Sequence, residues 1–163
     1  MVVGKTAKTN AARLLDQLKV TYELQPYKVD ENNLGASHIA SELEVPIDIV
    51  FKTIVLSGDK SGYFVCVIPG GAEIDLKKAA KISGNRSCSL IPVKELLPLT
   101  GYIRGGCSPV GMKKKLPTFI HQSCQLYDRI GVSAGMRGLM MWLTPDSLIN
   151  AVNALVTDLI IPN

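Results

Sequence analysis

The sequence predicts an α+β fold, with a mixed or barrel-like sheet and helices on its outside. Three observations carry this. Segments with helical period alternate with short apolar or β-branched runs. One pair of runs, Phe51 to Ser57 and Tyr63 to Pro69, is joined by the tight turn SGDKSG and reads as a hairpin, so the sheet is not purely parallel. Helix caps and turn residues punctuate the chain without any linker, repeat or low-complexity tract. A length of 163 residues with 47% hydrophobic and 20% charged residues fits one domain with a buried core, covering residues 1–163.

Taken in order, Thr9 to Lys19 predicts an amphipathic helix, capped by Thr9 or Asn10, with Ala11, Leu14, Leu15 and Leu18 on one face. Val20 to Val29 reads as a strand broken by Pro26, and Asp30 to Gly35 as a turn-forming linker. Ser37 to Leu43 predicts a short helix capped by Ser37, and Pro46 to about Val50 a second with proline in its first position. After the hairpin, Asp75 caps a helix that stops at Gly84, and Pro92 to Leu97 forms a helical turn. Thr118 to His121, Ile130 to Ala134 and Gly138 to Leu143 read as strands, the last two joined around Gly135. Thr144 and Pro145 open a final helix whose expected buried stripe is Leu148, Val152, Leu155 and Leu159.

The net charge of +4 permits an RNA or phosphate-bearing partner without the larger, clustered excess of a duplex DNA binder. Cys66, Cys88, Cys107 and Cys124 lie far apart with no CxxC, so neither a metal site nor a disulfide framework is indicated, and no cofactor motif is present. The opening MVVGKTAKTN has no apolar run and no segment is long enough to span a bilayer, which points to a cytoplasmic protein without membrane contact.

Chemistry concentrates in Thr100 to Pro117, TGYIRGGCSPVGMKKKLP. Its four glycines suit either an ordinary loop or a turn that aims backbone N–H groups at an anion or oxyanion, and Lys113, Lys114 and Lys115 are either a solvated run or a local positive field. Lys52, at the start of an apolar strand, either snorkels to solvent or is held as a fixed cation. Tyr27 is either a core-edge residue or a site residue. In Ser133 to Leu139, glycines flank Arg137, which either sits in a tight turn or points its guanidinium at a phosphate or carboxylate. With two histidines, His38 and His121, and no GxSxG, no nucleophile triad is evident, and no carboxylate pair stands out.

Together, KTNAARLLD at Lys8 to Asp16, VFKT at Val50 to Thr53, DLKKAAK at Asp75 to Lys81, the glycine-rich stretch and VSAGMRGL at Val132 to Leu139 resemble the YbaK/EbsC family of aminoacyl-tRNA deacylases, related to the editing insertion domain of prolyl-tRNA synthetase. The similarity runs from about Thr6 to Leu159 and is nearest the Cys-tRNA(Pro) deacylase branch. It implies a barrel-like α+β fold and cleavage of the ester joining a wrong amino acid to the acceptor end of a tRNA. Carried over by motif, Lys52, Gly105 and Gly106 take the catalytic positions, and Tyr27, Thr53 and Ser133 bind substrate; the glycine-flanked Arg137 joins the substrate-binding residues on its local pattern. The resemblance further implies that the cysteinyl thiol attacks its own carbonyl, with a backbone N–H of Gly105 or Gly106 at the oxyanion, and that prolyl-tRNA synthetase is a partner. Several relatives carry an acid directly after RGL where this chain has Met140, so the acid that would hold the substrate's amino group has no match here. The competing readings are a deacylase for Ala-tRNA(Pro) or another mischarged tRNA, and a non-catalytic module for RNA ends or nucleotides.

Overall fold

A computed structural model describes residues 8–162; residues 1–7, where the family resemblance begins, and residue 163 lie outside the described residues. The first helix, α1 (Asn10–Gln17), is capped by Thr9, whose hydroxyl accepts from Ala12 N–H, and buries Ala11, Ala12 and Leu15. The expected strand after it is shorter than its pattern: β1 covers only Glu23–Pro26. Pro26 ends it at the outer edge of a sheet, where a missing N–H costs no ladder bond. Helix α2 (Ala36–Leu43) starts one residue before the expected cap Ser37; Gly35 is the cap, in extended conformation and without a side-chain bond. Pro46 likewise precedes a 3₁₀ turn, Ile47–Ile49, rather than opening it.

The hairpin is β2 (Phe51–Gly58) with β3 (Gly62–Pro69), antiparallel from Phe51↔Pro69 to Gly58↔Gly62. Asn85 holds its turn, its amide oxygen accepting from the N–H of Lys60 and Ser61. Asp75 caps α3 (Leu76–Ile82) by accepting from Lys77 and Lys78 N–H. A three-residue strand that the sequence pattern did not signal, β4 (Cys88–Leu90), pairs with the end of β2. Helix α4 (Val93–Thr100) runs three residues past the expected Leu97, with Pro98 inside it, and stops at Gly101 in left-handed conformation.

Next come β5 (Thr118–His121), β6 (Ile130–Ser133), β7 (Leu139–Leu143) and α5 (Pro145–Val152). Here the final-helix expectation fails. Asn153, at φ 54°, ends α5, and Leu155 belongs to β8 (Leu155–Thr157), which pairs parallel to β5. Leu155 is exposed, whereas Leu159 is buried beyond the strand.

The strands form two sheets, β1-β7-β6 and β4-β2-β3-β5-β8, the second mixed because β3·β5 and β5·β8 are parallel. Strand alternation sends Phe51, Val55, Val65 and Val67 into the main core with Ile130, Val132 and Met141. Leu56, Phe64, Cys66 and Ile68 point the other way, against Ala79 of α3 and Leu159. Each such fully buried large side chain contributes about 1.5–3 kcal/mol. A parallel bridge, Val50↔Gly131, ties the start of β2 to β6 and joins the sheets into the barrel-like arrangement, with helices on the outside. Among the described residues no helix is long and apolar enough to cross a membrane.

Candidate functional site

The Val50↔Gly131 bridge creates the site. Two residues beyond it in each strand stand Lys52 and Ser133, side by side because the bridge is parallel. Ser133 pairs across β6·β7 with Met140, so both face α2, which lies over this end of the sheet with Ile39. Next to Gly131 the ring of Trp142 covers the strand where a Cβ would come within 2.9 Å of it. Trp142 is held there by its indole N–H to Gln25 Oε1 (2.7 Å) and by the Arg129 guanidinium 4.7 Å from the ring centre.

The resulting cavity has a volume of about 160 Å³. Tyr27, Lys52, Thr53, Gly105 and Ser133 all line it, drawn from four separate stretches of the chain. Gly106 and Arg137 do not. Leu34, Ile39, Cys107 and Met140 complete the apolar part of the wall. That volume falls below the roughly 300–1,000 Å³ of pockets for drug-sized ligands, so the cavity takes only a small group.

Lys52 is half-buried, and burial pushes its ammonium pKa below the usual lysine value, with Glu73 acting weakly in the opposite direction. Among the described residues none of the ion pairs uses it. It is thus a half-buried cation in the wall with no ion-pair partner among the described residues. Beside it, the Thr53 hydroxyl is buried with no hydrogen-bond partner among the described residues.

The glycine-rich stretch supplies the opposite wall. Gly105 adopts φ +83°, a left-handed conformation that suits glycine, and lies against Leu34. Gly106 has a different duty. Its N–H donates to Ile103 O (2.9 Å), and a Cβ there would stand 2.9 Å from Arg137 N and 3.0 Å from Met136 Cα. It lets two loops touch, and its N–H is already committed to Ile103 O; of the pair, only Gly105 lines the cavity. Arg137 turns away from the cavity, its Nε donating to Arg104 O (2.9 Å). Tyr102, buried beneath the loop, donates to Val110 O (2.7 Å) and Gly111 O (3.1 Å) and fixes its far limb.

Among the described residues, no histidine or carboxylate lines the cavity. Burial pushes the Cys107 thiol up to about 11, so it is protonated at neutral pH. Ser133 Oγ accepts from Gly135 N–H. His38 lies at Lys28 O, and His121 is buried on another face, its Nδ1 accepting from Leu159 N–H. Leu34, Gly35, Ala36 and Ile39 around the start of α2, and Cys107, are among the lining residues that sequence reasoning did not name. The signal for Cys107 was its place two residues after Gly105; Leu34 sits in a polar turn with no periodicity to mark it.

Fold and cavity define a two-sheet α+β protein with a small pocket walled by glycine backbone and one half-buried cation. The chain belongs to the aminoacyl-tRNA editing family, in its YbaK/EbsC group: the model of the aminoacyl-tRNA editing domain matches residues 30–151. It is 45% identical over 146 residues to the Enterococcus faecalis protein named "Putative Cys-tRNA(Pro)/Cys-tRNA(Cys) deacylase EbsC", covering 90% of this chain and 89% of that one. Among solved structures it is similar to "a putative trans-editing enzyme for prolyl tRNA synthetase" (TM-score 0.82, 22% identity, 96% of this chain and 100% of that one). It is also similar to a hypothetical protein (TM-score 0.84, 20% identity, 93% and 99%). At these identities the two structures speak for the fold alone.

Proposed function

We propose that the protein is a trans-editing deacylase that clears Cys-tRNA(Pro) by cleaving the ester between cysteine and the 3′-terminal adenosine. The observation that carries this is the cavity itself: Lys52 and Gly105 face a space for a small acyl group, no histidine or carboxylate among the described residues lines it, and burial holds its one thiol, Cys107, protonated.

The nucleophile then comes from the substrate. A cysteine thiol is a few per cent ionised at pH 7 and strongly nucleophilic. Its sulfur attacks the ester carbonyl carbon, forming a C–S bond and an oxyanion beside the Gly105 backbone. The oxyanion collapses, the C–O bond to the ribose breaks, and the ribose oxygen takes up a proton equivalent to the one the thiol lost. The released thiolactone is opened by water to free cysteine. One backbone donor at such an oxyanion is worth roughly 3 kcal/mol. Lys52 holds the terminal phosphate or ribose, and its positive charge favours both the thiolate and the oxyanion. Tyr27, Thr53 and Ser133 position the aminoacyl end.

A separate editing site answers a physical need, because a prolyl pocket discriminates weakly against small side chains that fit it. The weak overall basicity fits contact with the acceptor end only, and we assign tRNA selectivity to association with prolyl-tRNA synthetase in the cytoplasm. The 45% identical relative named for Cys-tRNA deacylation supports this choice of substrate. Release of labelled amino acid from Cys-tRNA(Pro) and Ala-tRNA(Pro), with and without the synthetase, tests it. Cysteine release that the synthetase accelerates is expected. Alanine release alone would change the substrate, and tRNA binding without release from either would make the protein a binding module.

A further inference from the structure

The basic charge of this protein is not spread over the fold. Between residues 96 and 145 the chain carries six basic residues (Arg104, Lys113, Lys114, Lys115, Arg129 and Arg137) and one acid, Asp128. That segment is net +5 in a chain of net +4, so all the rest is net −1. The same segment contributes Gly105, Cys107, Ser133 and Met140 to the cavity. Two of these charges, Arg104 and Arg137, lie in the loops next to Gly105 and Gly106, whereas Lys115 lines a separate cavity and Arg129 sits over Trp142.

The structure gathers part of this charge into a stripe leading away from Gly105. Arg137 reaches across the loop contact made by Gly106 and donates its Nε to Arg104 O, which sets the two arginines together. Further along, Lys113 N–H donates to Thr100 O (2.8 Å), and the Lys113 Cβ lies 3.6 Å from where a Cβ on Gly101 would be. Lys113 thus stands at the Gly101 end of the loop that carries Arg104 beside Gly105. Among the described residues, the ion pairs engage Lys8, Lys78, His121 and Arg129, and none engages Arg104, Arg137 or Lys113. The opposite flank is different. There Glu73 acts on Lys52, and Asp48 lines a neighbouring cavity.

We propose that Arg137, Arg104 and Lys113 form the phosphate track for the single-stranded 3′ end of the RNA, which leaves the cavity over the glycine-rich loop rather than past Glu73. This rests on the deacylase reading for the identity of the RNA. The physical reason is that phosphates seek unpaired cations and release counterions on contact, whereas the acidic flank repels them. Arg137 is a positioning residue as well as a contact, because its Nε is spent on the loop. Arg104 is the clean probe: its side chain is exposed, and its structural bond uses the backbone oxygen, which a substitution leaves in place.

The test is binding of an uncharged acceptor-stem minihelix ending in single-stranded ACCA, by fluorescence anisotropy between 50 and 200 mM salt. A single-strand phosphate contact contributes about 0.7 to the slope of log K against log salt, so across this fourfold range each lost contact reduces the salt-induced weakening by about 2.6-fold. Arg104→Ala and Lys113→Ala are each expected to show that reduction, Arg104→Lys to restore it, and Lys60→Ala in the distant hairpin turn to leave it unchanged. Cleavage of 3′-O-cysteinyl-adenosine, which has no phosphate, is expected to be equal in wild type and Arg104→Ala. An unaltered salt slope in Arg104→Ala, or an equal loss on the phosphate-free ester, overturns the track. Binding with the expected slopes but no cleavage of either ester keeps the track and removes the deacylase reading.

Discussion

Replacing Gly106 by alanine tests the loop geometry that the site depends on. The new methyl would lie 2.9 Å from Arg137 N and 3.0 Å from Met136 C and Cα, against 3.4 Å or more for an ordinary contact. All three neighbours are backbone, so no side chain can swing aside, and the loops must separate by about half an ångström. Overpacking of this kind costs about 1–3 kcal/mol. Since a 1 Å misplacement can reduce a rate about 100-fold, half that displacement at Gly105 next door corresponds to about tenfold in kcat. Gly62→Ala is the matched control. Its φ of +78° makes alanine unfavourable by about 1–2 kcal/mol, but nothing lies within 4 Å and the turn is remote from the cavity. Urea unfolding and single-turnover cleavage of Cys-tRNA(Pro) on both variants give the answer. Similar destabilisation with loss of rate only in Gly106→Ala is expected; a wild-type rate in Gly106→Ala would refute the assignment of the loop contact to the site.

Lys52→Met is expected to lose between about 10- and 150-fold in kcat/KM, the range for a charged hydrogen bond of about 1.5–3 kcal/mol, and to be at least as stable as wild type. Burial lowers the folded-state pKa of Lys52, so the buried cation costs stability in full below that value and the cost fades as pH rises through the unfolded value near 10.5. Wild-type stability therefore rises relative to Lys52→Met through that window, while activity that needs the cation falls as pH passes the lowered pKa; matched melts and rate profiles read both. Tyr102→Phe leaves the carbonyls of Val110 and Gly111 without their hydroxyl donor and should cost about 1–3 kcal/mol in urea unfolding.

Local signals in the sequence located most elements because their physics is local. Thr9, Asp75 and Thr144 each cap the helix that follows, and Phe51–Gly58 with Gly62–Pro69 is the expected hairpin. The errors arise where a local pattern competes with a distant partner. Leu155 and Leu159 continue the spacing of α5, yet Asn153 in left-handed conformation stops the helix and pairing with β5 claims Leu155. Cys88–Leu90 is too short to show a period and exists as a strand only through β2. The cavity depends on Val50↔Gly131, a contact between residues 81 positions apart that no spacing reveals. Its residues were therefore found by resemblance, which also grouped Gly106 with them, while the glycine-flanked pattern brought in Arg137; neither of the two lines the cavity. Met140 is fully legible only in the structure: buried in the cavity wall opposite α2, it gives that wall an apolar surface.

The central claim is that the substrate, not the protein, supplies the nucleophile. Charging tRNA(Pro) with S-methylcysteine adds one methyl and caps the sulfur as a thioether, so no attacking thiolate can form. Single-turnover release from this substrate should fall to the uncatalysed rate while Cys-tRNA(Pro) is cleared under the same conditions. Release of S-methylcysteine at a rate comparable to cysteine would mean that water or a protein group attacks the ester, and would contradict the account.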